Sequence, residues 1–118
     1  MIFISFNCRD LASQPKKLAL RELVNSHHPD VLLLQETLGQ GEEFKGILSK
    51  MFPGWVFQVL DANGRSGGLE TRFKTGKLKE MSSWGSKNTL AMELYSSELC
   101  LPILLLNVYG PCIEREKF

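Results

Sequence analysis

The sequence lacks an excess of charge of either sign. Fourteen Lys and Arg face 13 Asp and Glu, a net of +1 with a pI near 7.7. A strongly basic nucleic-acid module, whose domain pI would exceed ~9, is excluded. An enzyme that reaches phosphate through a metal ion is not. Near-neutrality also predicts mediocre solubility. Long hydrophobic runs are missing too: no stretch approaches the ~18–20 apolar residues of a membrane span, so no membrane partner is expected. The apolar start MIFISFN has no basic region before it and is too short for a secretory signal; it reads as a buried first strand. Cysteine is scarce. Cys8, Cys100 and Cys112 are odd in number and widely spaced, unlike a disulfide framework. They read as reduced thiols of an intracellular, non-secreted protein. No C-x2-C or H-x3-H spacing joins them to His27 and His28 as a zinc site. Repeats, low-complexity tracts and linkers are absent.

What remains is ordinary globular material. The chain has 118 residues, 43% hydrophobic and 23% charged, which fits one domain spanning 1–118. Ile2–Asn7 is a short apolar run suited to a buried strand. Ser13 can cap a helix, with Pro15 tolerated in its first turn. Ala19, Leu20, Leu23 and Val24 form the apolar stripe of that helix. His27 and His28 fall in its last turn, and Pro29 stops it. Val31–Leu34 is a second buried strand that turns polar at Gln35 and Glu36. Phe44, Ile47, Leu48 and Met51 follow the spacing of a second amphipathic helix, and Trp55–Leu60 returns as a strand. Leu69, Thr71 and Phe73 alternate with Glu70, Arg72 and Lys74, the mark of a half-exposed strand. Leu90, Met92 and Leu94 alternate again. Leu101–Tyr109 is a long apolar strand fit for the centre of a sheet. Strand–helix–strand–helix–strand followed by a meander predicts an α/β layered domain with a mixed sheet.

Three of these strands end in polar residues: Asn7, Gln35-Glu36, and Asn107 with Tyr109. Ligand sites of open α/β sheets gather outside strand carboxyl ends, so these residues are candidates for one rim. Each also has a structural alternative as a turn residue, helix cap or hydrogen-bonded core tyrosine. Arg65, Arg72, Lys74, Lys77 and Lys79 form a basic strip. It reads either as a DNA-backbone contact or as a charged edge hairpin that blocks sheet-to-sheet aggregation. Trp55 and Trp84 read as core or turn packing.

The segments SFNCRDL, PDVLLLQET, GRSGGL and LLLNVYGP, in that order, resemble the endonuclease/exonuclease/phosphatase superfamily. Within it the chain is most similar to the endonuclease domain of plant LINE-type non-LTR retrotransposons. The resemblance implies a DNase I-like four-layered α/β sandwich. This chain would supply its N-terminal part, a mixed sheet flanked by helices with the second sheet incomplete. It also implies Mg2+-dependent hydrolysis of a phosphodiester, DNA as partner and a nuclear location. By the resemblance Glu36 is the metal ligand. Asn7 orients the catalytic carboxylates beside the metal, and Tyr109 contacts the scissile phosphate. A hard oxygen donor with waters is what Mg2+ takes.

Departures from the family pattern bear on activity. The later G-D-x-N and S-D-H segments are absent from the 118 residues, so weak or no Mg2+ binding and no turnover are expected of this polypeptide alone. A non-catalytic binding module and a phosphatase-type member of the superfamily stand as alternatives. Cys112 replaces an asparagine common in relatives, and Asp10 a glycine. His27 and His28 are expected to lie away from the rim. With most of the second sheet expected beyond NVYGP, one face of the first sheet is expected to lie bare, giving self-association.

Overall fold

The computed structural model describes residues 1–9, 14–37, 50, 53–60 and 68–109. Within them the chain runs β1 (Phe3–Asn7), α1 (Gln14–His27), β2 (Val31–Gln35), β3 (Val56–Leu60), β4 (Leu69–Phe73), β5 (Leu78–Gly85), β6 (Thr89–Ser96) and β7 (Leu101–Val108). Four strands form a mixed sheet in the order β1-β2-β4-β3, and three form an antiparallel sheet in the order β5-β6-β7. Only β1 and β2 are parallel, as a crossover through α1 requires. Phe44, Ile47, Leu48 and Met51 of the expected second helix, and Asp10, Ser13, Arg65 and Cys112, lie outside the described residues.

Two cores result. On one face of the mixed sheet Leu20 of α1 packs with Cys8, Leu32 and Leu34, flanked by Ile4, Phe6, Val24 and Trp55. Between the sheets Val31 and Phe73 pack against Leu78, Met92, Leu94 and Leu105. Strand β2 is therefore buried on both sides, as its run of Val and Leu requires. Helix α1 meets the sheet through Leu20 and Val24, with Leu23 half-buried. Ala19 is exposed, contrary to the expected stripe, because one residue of helix rotates it about 100° from Leu20. His28, just past the helix, is left-handed at φ 48° and donates to the Val24 carbonyl, a C-terminal cap.

Several expectations are corrected. β1 is an edge strand, and Phe3, Ser5 and Asn7 on one side are exposed. β7 is an edge of the second sheet and not the centre of a sheet; Leu105 and Asn107 point inward while Leu104, Leu106 and Val108 are more than half exposed. The second sheet already stands within this chain, so the first sheet has no bare face over β2 and β4. The open apolar surface is the outer face of the second sheet instead. Trp84 lies there at 53% exposure, in register with Ala91 and Leu106, and so is neither core nor turn packing.

β4 is buried at all five positions, not half-exposed. Its Leu69, Thr71 and Phe73 face the second sheet. Glu70 and Arg72 share the other side, where they pair with each other. Arg72 also lies 4.5 Å from the Phe57 ring centroid, a cation–π contact. The basic strip does not hold together as one surface: Arg72 is buried and Lys74 sits over the Trp55 ring, while Lys77 pairs with Glu98 and Lys79 is exposed on the edge strand β5, as the charged-edge reading expects.

Candidate phosphodiester site

β1 is an edge of the mixed sheet and β7 an edge of the antiparallel one. Between them opens a cleft of about 790 Å3 at the carboxyl ends of β1, β2 and β7. Its walls hold Asn7, Glu36 and Tyr109 together with Arg9, Lys16, Gln35 and Asn107. The three residues singled out in the sequence thus share one rim. His27 and His28 are at the far end of α1 from Lys16 and do not line the cleft.

The backbone aims Glu36. Strand alternation would send its side chain to the α1 side, with Leu32 and Leu34. Glu36 instead takes a left-handed conformation at φ 53°, uncommon for a residue with a long side chain, and both it and Gln35 face the cleft. The adjacent Thr37 N–H is held by the Gly68 carbonyl at 3.2 Å. Gly68 has φ 90°, which a residue without Cβ adopts freely; this is the structural use of the second glycine of SGG. Asn7 Nδ2 donates to Glu36 Oε2, and Asn7 Oδ1 accepts the Arg9 N–H at 2.8 Å. The Asn7 amide is thereby fixed with its nitrogen toward the carboxylate. Tyr109 is half-buried, and its N–H donates to the Asn88 carbonyl at 2.9 Å.

Asn107 is the residue whose role the sequence concealed. Its side chain is buried between the sheets. Nδ2 donates to the Leu34 and Glu70 carbonyls and to Thr71 Oγ1 at 3.1, 3.2 and 3.3 Å, while Oδ1 accepts from Gln35 Nε2 at 3.0 Å. Both ends of the amide are engaged, so it fixes β7, and with it Tyr109, against the strand that carries Glu36. A lone polar residue inside LPILLLNV was the available signal. At the opposite side Gln58 Nε2 bridges to both Glu80 oxygens at 3.0 and 3.1 Å, a second polar clamp between the sheets.

The donor set is sparse. Among the described residues no group of three or more His, Cys, Asp and Glu gathers. Glu36 is the one carboxylate among the described residues of the cleft, which it shares with the amides of Asn7, Gln35 and Asn107 and with Arg9 and Lys16. Such a set fits a hard divalent ion held by one carboxylate and waters, and does not fit zinc. Cys8, next to the rim, does not line the cleft. Burial, with the Glu70 charge adding, pushes its thiol from 9.0 up to about 12.

A family model for the Endonuclease/Exonuclease/phosphatase family matches residues 4–87, which include Asn7 and Glu36. The chain belongs to this family. Its members are generally metal-dependent. The fold agrees with solved structures of low identity. The AP endonuclease LMAP from Leishmania major is 23% identical at a TM-score of 0.63, over 97% of this chain and 42% of that one. The catalytic domain of Xenopus laevis APE2 is 18% identical at 0.58, over 99% and 47%. ANGEL2, a 2',3'-cyclic phosphatase, is 18% identical at 0.65, over 92% and 41%. The chain spans less than half of each of these structures. No curated protein matches. No helix among the described residues is long and apolar enough to cross a membrane.

Proposed function

We propose that this chain is the N-terminal portion of a Mg2+-dependent phosphodiesterase acting on DNA, of the LINE retrotransposon endonuclease type. The observation that carries this reading is the Asn7–Glu36 pair facing Tyr109 across one cleft, with Glu36 held left-handed so that its carboxylate enters it. A bound Mg2+ would neutralise charge developing on a phosphate oxygen and activate a water. Glu36 would hold it through the oxygen not engaged by Asn7. Asn7 keeps that carboxylate oriented. The Tyr109 hydroxyl donates to a phosphate oxygen, and the apolar edge of β7 limits water on that side. DNA is favoured over other phosphodiesters by the likeness of SFNCRDL, PDVLLLQET and LLLNVYGP to the plant LINE segments.

No second carboxylate and no histidine stands in the described part of the cleft, so binding without turnover is the expected behaviour of the 118-residue polypeptide. The test is duplex-oligonucleotide binding with and without Mg2+, run beside plasmid nicking. Mg2+ should tighten binding of the wild type, and Glu36→Gln should abolish that increment. Neither should nick plasmid. Binding indifferent to Mg2+ and to Glu36→Gln contradicts the site. Mg2+-dependent nicking lost in Glu36→Ala would instead establish a working enzyme.

A further inference from the structure

Two cations of the cleft, Arg9 and Lys16, have charged ends with no task in the site at Glu36. Building on the proposed role of the cleft as a nucleic-acid phosphodiester site, we infer that Lys16 binds a second phosphate of the same strand, adjoining the one at Glu36. Lys16 is the third residue of α1 and lines the cleft. Its Nζ lies 3.4 Å from the Asn7 carbonyl oxygen and 5.1 Å from the Phe6 ring centroid. These contacts place the ammonium at the end of β1, on the α1 side of Asn7. The Asn7 side chain reaches the other way, to Glu36 just past β2. The two charges therefore flank Asn7, and Lys16 meets a different phosphate from the one at the carboxylate.

The ammonium is also available. Lys77 is spent on Glu98, whereas Lys16 forms no ion pair among the described residues. Of its three N–H donors one is directed at a neutral carbonyl, and two remain for an anion. Arg9 lines the same cleft, but only its backbone N–H is tied down; Lys16 is the cation whose charged end is positioned. A lysine acts on phosphate as a point charge without demanding bidentate geometry. It would thus add affinity along the strand without base preference.

The experiment measures the salt dependence of binding to a fluorescein-labelled DNA duplex by anisotropy, with the wild type, Lys16→Gln and Lys16→Arg. Each phosphate contact contributes about 0.9 to the slope of log K against log salt. Lys16→Gln should lower the slope by about 0.9. Between about 50 and about 200 mM salt it should lose about 3.5-fold less affinity than the wild type. Lys16→Arg should restore the slope. An unchanged slope in Lys16→Gln, with wild-type binding intact, overturns the role of Lys16 and leaves the cleft reading standing. A slope lost in both variants together with their helical circular dichroism marks a structural lysine and also overturns it. Failure of the wild type to bind duplex overturns the cleft reading itself, before any variant is compared.

Discussion

Asn107 and Cys8 are buried side chains that the fold uses in opposite ways. The Asn107 amide satisfies two main-chain carbonyls and a hydroxyl in the buried space between the sheets, so its loss leaves acceptors unpaired. Asn107→Leu should destabilise the protein by about 2 kcal/mol in a denaturant titration, within the range for orphaned buried groups. It should also weaken Mg2+-dependent binding by displacing Tyr109 from the Glu36 strand. A loss below about 0.5 kcal/mol would mean that the amide is not the clamp described. Cys8 is protected by being dry. With its folded pKa near 12 and its ordinary value of 9.0, the unfolded chain releases the proton first as pH rises. The contribution of Cys8 is complete below pH 9 and declines as pH climbs from 9 toward 12, by about 1.4 kcal/mol per pH unit at most. Iodoacetamide at pH 8 should therefore label exposed Cys100 and spare buried Cys8, read by peptide mass spectrometry. Rapid labelling of Cys8 in the native protein would show that the thiol is not sealed.

Among the elements, β4 carries the sharpest contrast between sequence and structure. Glu70 and Arg72 read as the solvent face of a half-exposed strand because charged residues normally mark one. They are buried because each is the partner of the other, and because Phe57 lies over the guanidinium. Breaking such a pair strands a charge at a cost of about 3–5 kcal/mol, while replacing both members can be nearly neutral. Glu70→Gln should therefore lower stability by about 3 kcal/mol. The double replacement Glu70→Leu with Arg72→Met should recover most of the loss. A small effect of Glu70→Gln would show the pair to be solvated. The strands of β1–β3 and helix α1 were legible, since Ile, Leu and Val runs bounded by Pro29 and Pro53 leave few alternatives. The rim residues Asn7, Glu36 and Tyr109 were legible as strand ends. Neither the left-handed turn at Glu36 nor the edge position of β7 could be read. The first is set by contacts with Gly68 and Asn7, which are distant in sequence. The second is hidden because Leu104, Leu106 and Val108 are apolar on an exposed face.

That exposed face governs the molecule as a whole. Trp84, Leu104, Leu106 and Val108 are each more than half exposed on the outer side of the second sheet, beside Tyr95 at 40%. β7 borders this patch and carries no charge along LPILLLNV. A long uncharged edge strand is a template for pairing between chains, and patches beyond a few hundred Å2 are rare on soluble monomers. The purified polypeptide should therefore bind ANS and self-associate. Leu104→Lys with Leu106→Glu should reduce both, without weakening the inter-sheet core. A monodisperse wild-type monomer indifferent to ANS would contradict this.

Whether one rim built from three distant segments holds a divalent ion on Glu36 is decided by iron-directed backbone cleavage. Fe2+ in place of Mg2+, with peroxide and ascorbate, cuts the chain near the bound ion. The cuts, read by mass spectrometry, should fall beside Asn7, Glu36 and Tyr109 together. Excess Mg2+ should suppress them, and Glu36→Gln should remove them. Cuts confined to the His27–His28 end of α1, or cuts at the rim that persist in Glu36→Gln, would rule out an ion held by Glu36.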